Sequence, residues 1–197
     1  DGALRKAQVD EWLAMGRADK ALQELDTLIL NEPGDSKLML KRGFIQLELA
    51  QLDSAHATAA AVLRKDPSPL AWDLLGLIRL QQGDARGALA AFDTAIVRSP
   101  SLAVTWYNRS MAKRALGDQD GALRDLDQAI ARGQDRSHFH FNRALLRKEL
   151  GDLEGALADY DAVLKDAPQE VDALFNRAFT LKPVSYTHLT LPTIYSV

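Results

Sequence analysis

The sequence predicts an all-α fold, an α-solenoid of antiparallel helix pairs about five and a half pairs long. Three observations carry that prediction. Gly-Asp recurs at Gly83-Asp84, Gly117-Asp118 and Gly151-Asp152, 34 residues apart each time, and each is followed by Gly-Ala, at Gly87-Ala88, Gly121-Ala122 and Gly155-Ala156. Small residues return at fixed places within the period. Ala (30) and Leu (32) lead the 197 residues while aromatics make only 7%, a composition for packed helices rather than a β-sandwich.

The seam prolines Pro33, Pro67, Pro100 and Pro168 set the register when each is numbered position 32 of its repeat. The repeats then run 2–35, 36–68, 69–102, 103–136 and 137–170, with a truncated sixth at 171–182; together they make one array over residues 1–182. The first repeat carries Val9 at the crowded position 8 and Arg5 at position 4, and matches the pattern less well. The second has Ala50 where the turn glycine belongs and Ala59 where a large residue is usual. In the third, Ser68-Pro69 reads as N-cap and first helical residue, Gly76 and Ala88 are small contact positions, and Trp72 and Phe92 fill the space between helices. The fourth repeats this with Trp106, Ser110, Ala122 and Leu126, the fifth with Ala144, Ala156 and Tyr160. Gly16, Gly83, Gly117 and Gly151 suit a left-handed helix C-cap, and the Asp after three of them suits the N-cap of the second helix. In the sixth, Leu174, Ala178 and Leu181 occupy the side that a second helix would cover, so an apolar stripe is expected to lie open there.

Residues 183–197 differ from the rest: they hold no Ala and no Lys, Arg, Asp or Glu. The run Val184 to Thr193 resembles one reading frame of a transposase-type sequencing-library adapter, and Pro183, Ile194, Tyr195, Ser196 and Val197 fit its flanks. The expectation is a non-native tail, irregular or extended, joined to a piece of a longer reading frame whose N-terminus is also missing.

Several functions are disfavoured. There is no Cys for a disulfide or a thiolate metal site, and no apolar run near the roughly 18 residues of a membrane span. A net charge of −3 argues against a nucleic-acid footprint. His138 and His140 are two apart on a helix and point to different faces, so they do not share a metal, and His188 falls in the tail. No nucleophile elbow, Walker loop, dinucleotide fingerprint or zinc-protease motif is present, and the carboxylates read as solvated. The expectation is no catalytic residue, no metal, no cofactor, and not an enzyme. One polar pattern stands out: Arg109 and Arg143 at position 7 accompany Asp125 and Asp159 at position 23, whereas the third repeat has Leu75 and Ala91. That covariation within one chain suggests an Arg–Asp pair inside each repeat.

A 34-residue period with this punctuation resembles the tetratricopeptide repeat over essentially all of residues 2–182. The resemblance implies a right-handed superhelix whose first helices line a concave face with positions 2, 5, 6, 9, 12 and 13. There the last three repeats place Tyr107, Phe141 and Phe175; Asn108, Asn142 and Asn176; Met111, Leu145 and Phe179; and Arg114, Lys148 and Lys182. Such a ladder offers apolar anchors, amides for a peptide backbone and a basic row for an acidic segment. The third repeat departs, with Asp73, Leu74 and Leu77. The family's clamp for chaperone C-terminal tails is not expected, because Asn108 is flanked by Asp73 and Leu77 before it and by His138 and Asn142 after it. The function implied is a non-catalytic protein–protein interaction scaffold or adaptor; the alternative is a regulatory or substrate-recruiting region of a larger enzyme. RNA binding of the pentatricopeptide kind is disfavoured by the 34-residue spacing and the acidic balance. The compartment stays open between cytoplasm and bacterial periplasm.

Overall fold

The computed structural model describes residues 2–133 and 136–187, with side chains as far as Leu181. Eleven α-helices and no strand lie among the described residues. They are α1 (Gly2–Ala14), α2 (Ala18–Asn31), α3 (Ser36–Glu48), α4 (Leu52–Lys65), α5 (Pro69–Gln81), α6 (Ala85–Arg98), α7 (Ala103–Ala115), α8 (Gln119–Arg132), α9 (Ser137–Glu149), α10 (Leu153–Asp166) and α11 (Val171–Thr187).

Local chemistry ends and restarts the helices where the repeat requires it. Gly16, Gly83, Gly117 and Gly151 take positive φ between 69° and 83°, the left-handed turn that a Cβ disfavours. Ala50 adopts the same turn at φ 55° despite its Cβ. Asp84, Asp118 and Asp152 each accept the backbone N–H three residues on, from Gly87, Gly121 and Gly155, at 2.8–2.9 Å. A Cβ on any of those three glycines would collide with the capping carboxylate. Pro69 begins α5, but Ser68 makes no side-chain capping bond and its buried hydroxyl has no partner among the described residues.

The core is distributed rather than central. Five apolar clusters sit one at each junction between successive hairpins: around Leu25 and Leu38, around Val62 and Leu74, around Phe92 and Ala112, around Leu126 and Leu146, and around Tyr160 and Ala173. This is the arrangement of a solenoid, where each unit is stabilised by its neighbours. Close approach depends on the small residues at position 8. A Cβ on Gly43 would strike Leu74, and one on Gly76 would strike the Phe92 ring.

The last helix departs from expectation. The sequence predicts that the chain leaves helix after Lys182, yet α11 runs through Pro183 to Thr187. A helix already formed continues without a new nucleation step. Its path through Pro183 runs against local preference, since a proline there lacks the ladder N–H and crowds the carbonyl four residues back. Residues 188–197, and with them most of the adapter-like run and His188, lie outside the described residues. Ala173 and Thr180 are buried beneath α11, whereas Leu174 and Leu181 on its other side are exposed, as the sequence implies.

Candidate functional site

The first helix of each hairpin contributes one row of side chains to the face where the sequence places a groove. The rows behave differently from one hairpin to the next.

The sequence places Asn108 on an accessible surface beside Asn142 and Asn176. The structure corrects this: Asn108 is 4% exposed, and its Nδ2 donates to both carboxylate oxygens of Asp73, at 3.0 and 3.2 Å. The cause is the preceding repeat. Asp73 on α5 is itself 2% exposed, and burial pushes its carboxyl up to about 6, against the opposing pull of the Asn108 amide and of Thr105. Asn108 is therefore committed to satisfying a buried acid at the α5–α7 junction. Asn142 and Asn176 follow aromatic residues, Tyr107 and Phe141, and remain half-exposed. Each turns its Nδ2 back to its own helix, to the carbonyls of His138 (2.8 Å) and Asp172 (2.9 Å). That leaves each Oδ1 as an acceptor.

The aromatic and apolar rows are accessible in part. Tyr107, Met111, Phe141 and Leu145 are half-buried, and Phe175 and Phe179 are exposed and stacked at 6.2 Å between centroids. Tyr107 carries the His138 ring edge-on at 4.6 Å, and Phe141 meets Tyr160 at 6.0 Å. The basic row is engaged within the chain. Arg114 bonds both Glu149 oxygens at 2.9 Å. Lys148 donates to Asn176 Oδ1 at 3.2 Å with its ammonium 5.5 Å from the Phe179 ring centre. The Lys182 side chain lies outside the described residues. A cavity of about 480 Å3 opens between α9 and α11, lined by Phe141, Val163 and Ala167 and by the polar side chains of Ser137, His138, Asn142, Glu170 and Asp172.

On the remaining faces the Arg–Asp pairs form inside their repeats. Arg109 holds Asp125 in a two-pronged contact of 2.7 and 2.7 Å, and Arg143 holds Asp159 at 2.6 and 2.9 Å. Sequence reasoning missed that the same arginines also reach back one repeat. Arg109 bonds Asp93 at 2.7 Å, and Arg143 pairs with Asp127, Arg177 with Asp161 and Arg42 with Asp26. The reading of the carboxylates as solvated fails for Asp73, Asp125 and Asp159, each 2% exposed. Burial pushes Asp159 upward, but Arg143, His140 and Arg147 outweigh it and hold the group below its ordinary range. Trp106, expected between helices, lies half-exposed with Arg109 and Arg132 over its ring and its indole N–H on the Pro100 carbonyl.

Among the described residues no three His, Asp or Glu side chains gather as a metal site, and no helix is long and apolar enough to cross a membrane.

Two family models, both described as tetratricopeptide repeat, match residues 13–78 and 107–171. No curated protein matches the chain. Among solved structures, the chain is similar to TTC0263, a thermophilic tetratricopeptide-repeat protein of Thermus thermophilus, at 23% identity and TM-score 0.80, covering 92% of this chain and 99% of that one. It is similar to a chain of the Cut9–Hcn1 hetero-tetramer of APC/C at 20% identity and TM-score 0.81, covering 92% of this chain but 36% of that one. A third likeness, at 14% identity and TM-score 0.61, covers 90% of this chain and 92% of YrrB, described as having an unusual peptide-binding site. At these identities the likenesses speak for the fold.

Proposed function

Because the chain belongs to the tetratricopeptide-repeat family, we propose that it is a non-catalytic interaction scaffold that holds an extended peptide, or an extended segment of a partner protein, along the face built by α7, α9 and α11. The observation that carries this reading is the accessible run of Met111, Phe141, Leu145 and Phe175 with the Asn142 side chain among them. Apolar anchors with a polar group at regular spacing suit a chain whose side chains alternate and whose backbone needs hydrogen-bond partners. The peptide-binding site described for YrrB supports the same reading by analogy of fold. A second reading is an array that recruits substrates for a catalytic unit elsewhere in a longer protein; in the Cut9–Hcn1 likeness the match covers 36% of that chain, so an array of this kind can be one part of a longer one.

The test separates the two asparagines. Peptides selected from a displayed library are titrated against wild type, Asn142→Ala and Asn108→Ala. Asn142→Ala should weaken binding several-fold with thermal stability unchanged, because its loss strands no buried group. Asn108→Ala should lower stability by about 1–2 kcal/mol by leaving Asp73 unsatisfied. Unchanged affinity in Asn142→Ala counts against the groove.

A further inference from the structure

We propose that the cavity between α9 and α11 receives a lysine or arginine side chain of the bound segment; the inference rests on the groove reading above and names the chemistry of the groove's occupant. The cavity, about 480 Å3, is lined on its apolar part by Phe141, Val163 and Ala167, and is large enough for the methylene stem of a long cationic side chain. Its polar lining adds Ser137 and His138 to three side chains that can accept from a cation, Asn142, Glu170 and Asp172. Asn142 gives one of its two N–H groups to the His138 carbonyl and keeps Oδ1 as an acceptor, while Glu170 and Asp172 are exposed and, among the described residues, have no ion-pair partner. The N-termini of α9 and α11 bring roughly half a positive charge each, which two carboxylates exceed by about one negative charge. The cavity thus selects against an anion and for a donor with positive charge.

The chain itself shows what an asparagine oxygen at this position accepts. Asn176 makes the same bond to its own helix, to the Asp172 carbonyl at 2.9 Å, and its Oδ1 accepts Lys148 Nζ at 3.2 Å, with the ammonium 5.5 Å from the Phe179 ring centre. One repeat earlier, Asn142 makes the matching bond to His138; Leu145 stands in the place of Phe179, and the ring beside the cavity is Phe141 instead. The residue equivalent to Lys148 is Arg114, and it turns to Glu149 instead, at 2.9 Å. The junction before that is closed by Tyr107 and His138, 4.6 Å apart. At the α9–α11 junction Asp172 replaces His138, Phe141 replaces Tyr107, and the space between them is the cavity. A cation from a partner would sit on Phe141, donate to Asn142 Oδ1 and neutralise Glu170 or Asp172. The basic row suited to an acidic segment is meanwhile engaged internally through Arg114 and Lys148.

The test uses the whole chain and a displayed library of random extended peptides. Peptides selected by wild type should share Lys or Arg at one position. The neutral isostere pair Glu170→Gln/Asp172→Asn should bind them about five- to tenfold more weakly at unchanged helicity, the effect of two partly exposed charge pairs. The reversal Glu170→Lys/Asp172→Lys should lose them, and reselection on it should bring up Asp or Glu at that position. Should the reversal lose helicity, the isostere pair decides. If peptides bind, and Asn142→Ala weakens them, but no basic residue recurs or the isostere pair changes affinity less than about twofold, the inference is overturned and the groove reading stands. If no peptide is selected, both are overturned.

Discussion

Leu75 and Arg109 occupy the same place in successive repeats, 34 residues apart, with opposite chemistry. Leu75 is buried, and the residues that correspond to the partners of Arg109 are Ala91 in its own repeat and Ala60 in the one before. Arg109 has Asp125 in its own repeat and Asp93 in the one before, both at 2.7 Å. The two junctions fill one geometry with a matched set, wholly apolar or wholly ionic. A buried carboxylate such as Asp125 is tolerable because a guanidinium meets it in two bonds and Lys113 adds a third contact at 2.8 Å. The comparison teaches that the unit of design is the triplet. Keeping the buried Asp125 without Arg109 would strand a charge; Arg42, more exposed, pairs with Asp26 in the repeat before and has Thr58 in its own, so the strict matching applies where the acid is buried.

The sharpest way to break that comparison is to mix the sets. Asp125→Ala leaves Arg109 and Lys113 without their shared acceptor and should cost about 3 kcal/mol in a urea unfolding curve. Converting the junction fully, with Asp93→Ala, Arg109→Leu and Asp125→Ala, should recover most of that loss. Lys113 keeps a role in the converted junction, since Arg79 in the apolar repeat bonds the Gly87 carbonyl without any buried acid. If the triple variant is as unstable as the single one, the triplet is not the unit.

A second variant probes the one buried acid with no cation among the groups that act on it. The Asp73 carboxyl sits at about 6 in the fold against 3.8 in the free chain. Between those values the folded state keeps a proton that the unfolded state has released, so stability should fall as pH rises from about 4 to 6 and level off above. Asp73→Asn removes that slope and should raise stability at pH 7 by about 2 kcal/mol, checked by thermal melts across the range. Asp159, held low by its cations, has the opposite sign: its contribution is present above the ordinary carboxylate range and is lost on acidification. A pH profile that keeps its fall between about 4 and 6 in Asp73→Asn would remove Asp73 as the source.

The smallest effect belongs to the turn that lacks its glycine. Ala50 sits at φ 55°, where its Cβ costs roughly 1 kcal/mol, so Ala50→Gly should stabilise the array by about that amount. The reverse change at Gly83, Gly→Ala at φ 83°, should destabilise it similarly. An unchanged midpoint in Ala50→Gly would mean that the rest of the hairpin relaxes around the alanine.

Much of this is legible in the sequence because it is local and periodic. The turn glycines, the capping aspartates and the small residues at position 8 recur at fixed spacing, so one chain's repetition displays them. The Arg109–Asp125 and Arg143–Asp159 pairs are legible because the third repeat changes both members together. The same logic could have found Asp93, since Ala60 stands in its place before Leu75, but that comparison crosses a repeat boundary. Asn108 fails for the same reason. Three repeats share an asparagine at position 6, and its fate is set by position 5 of the repeat before, where Asp73 captures it and Tyr107 and Phe141 do not. Arg114 reads as available because its partner, Glu149, also lies one repeat away. The cavity between α9 and α11 has no signal in the sequence, because it depends on how far neighbouring helices stand apart.

The arginines that reach back one repeat also bear on how the array comes apart. Four junctions carry an arginine reaching back one repeat, from Arg42, Arg109, Arg143 and Arg177, while the junction spanned by Leu75 carries no ion pair among the described residues. A row of units coupled to nearest neighbours melts first at its weakest link. Added sodium chloride screens the four ionic links and leaves the apolar one intact. Ionic strength therefore acts unequally along the row: added salt should weaken the four ionic junctions relative to the one between α4 and α5, where the apolar cluster around Val62 and Leu74 carries the contact.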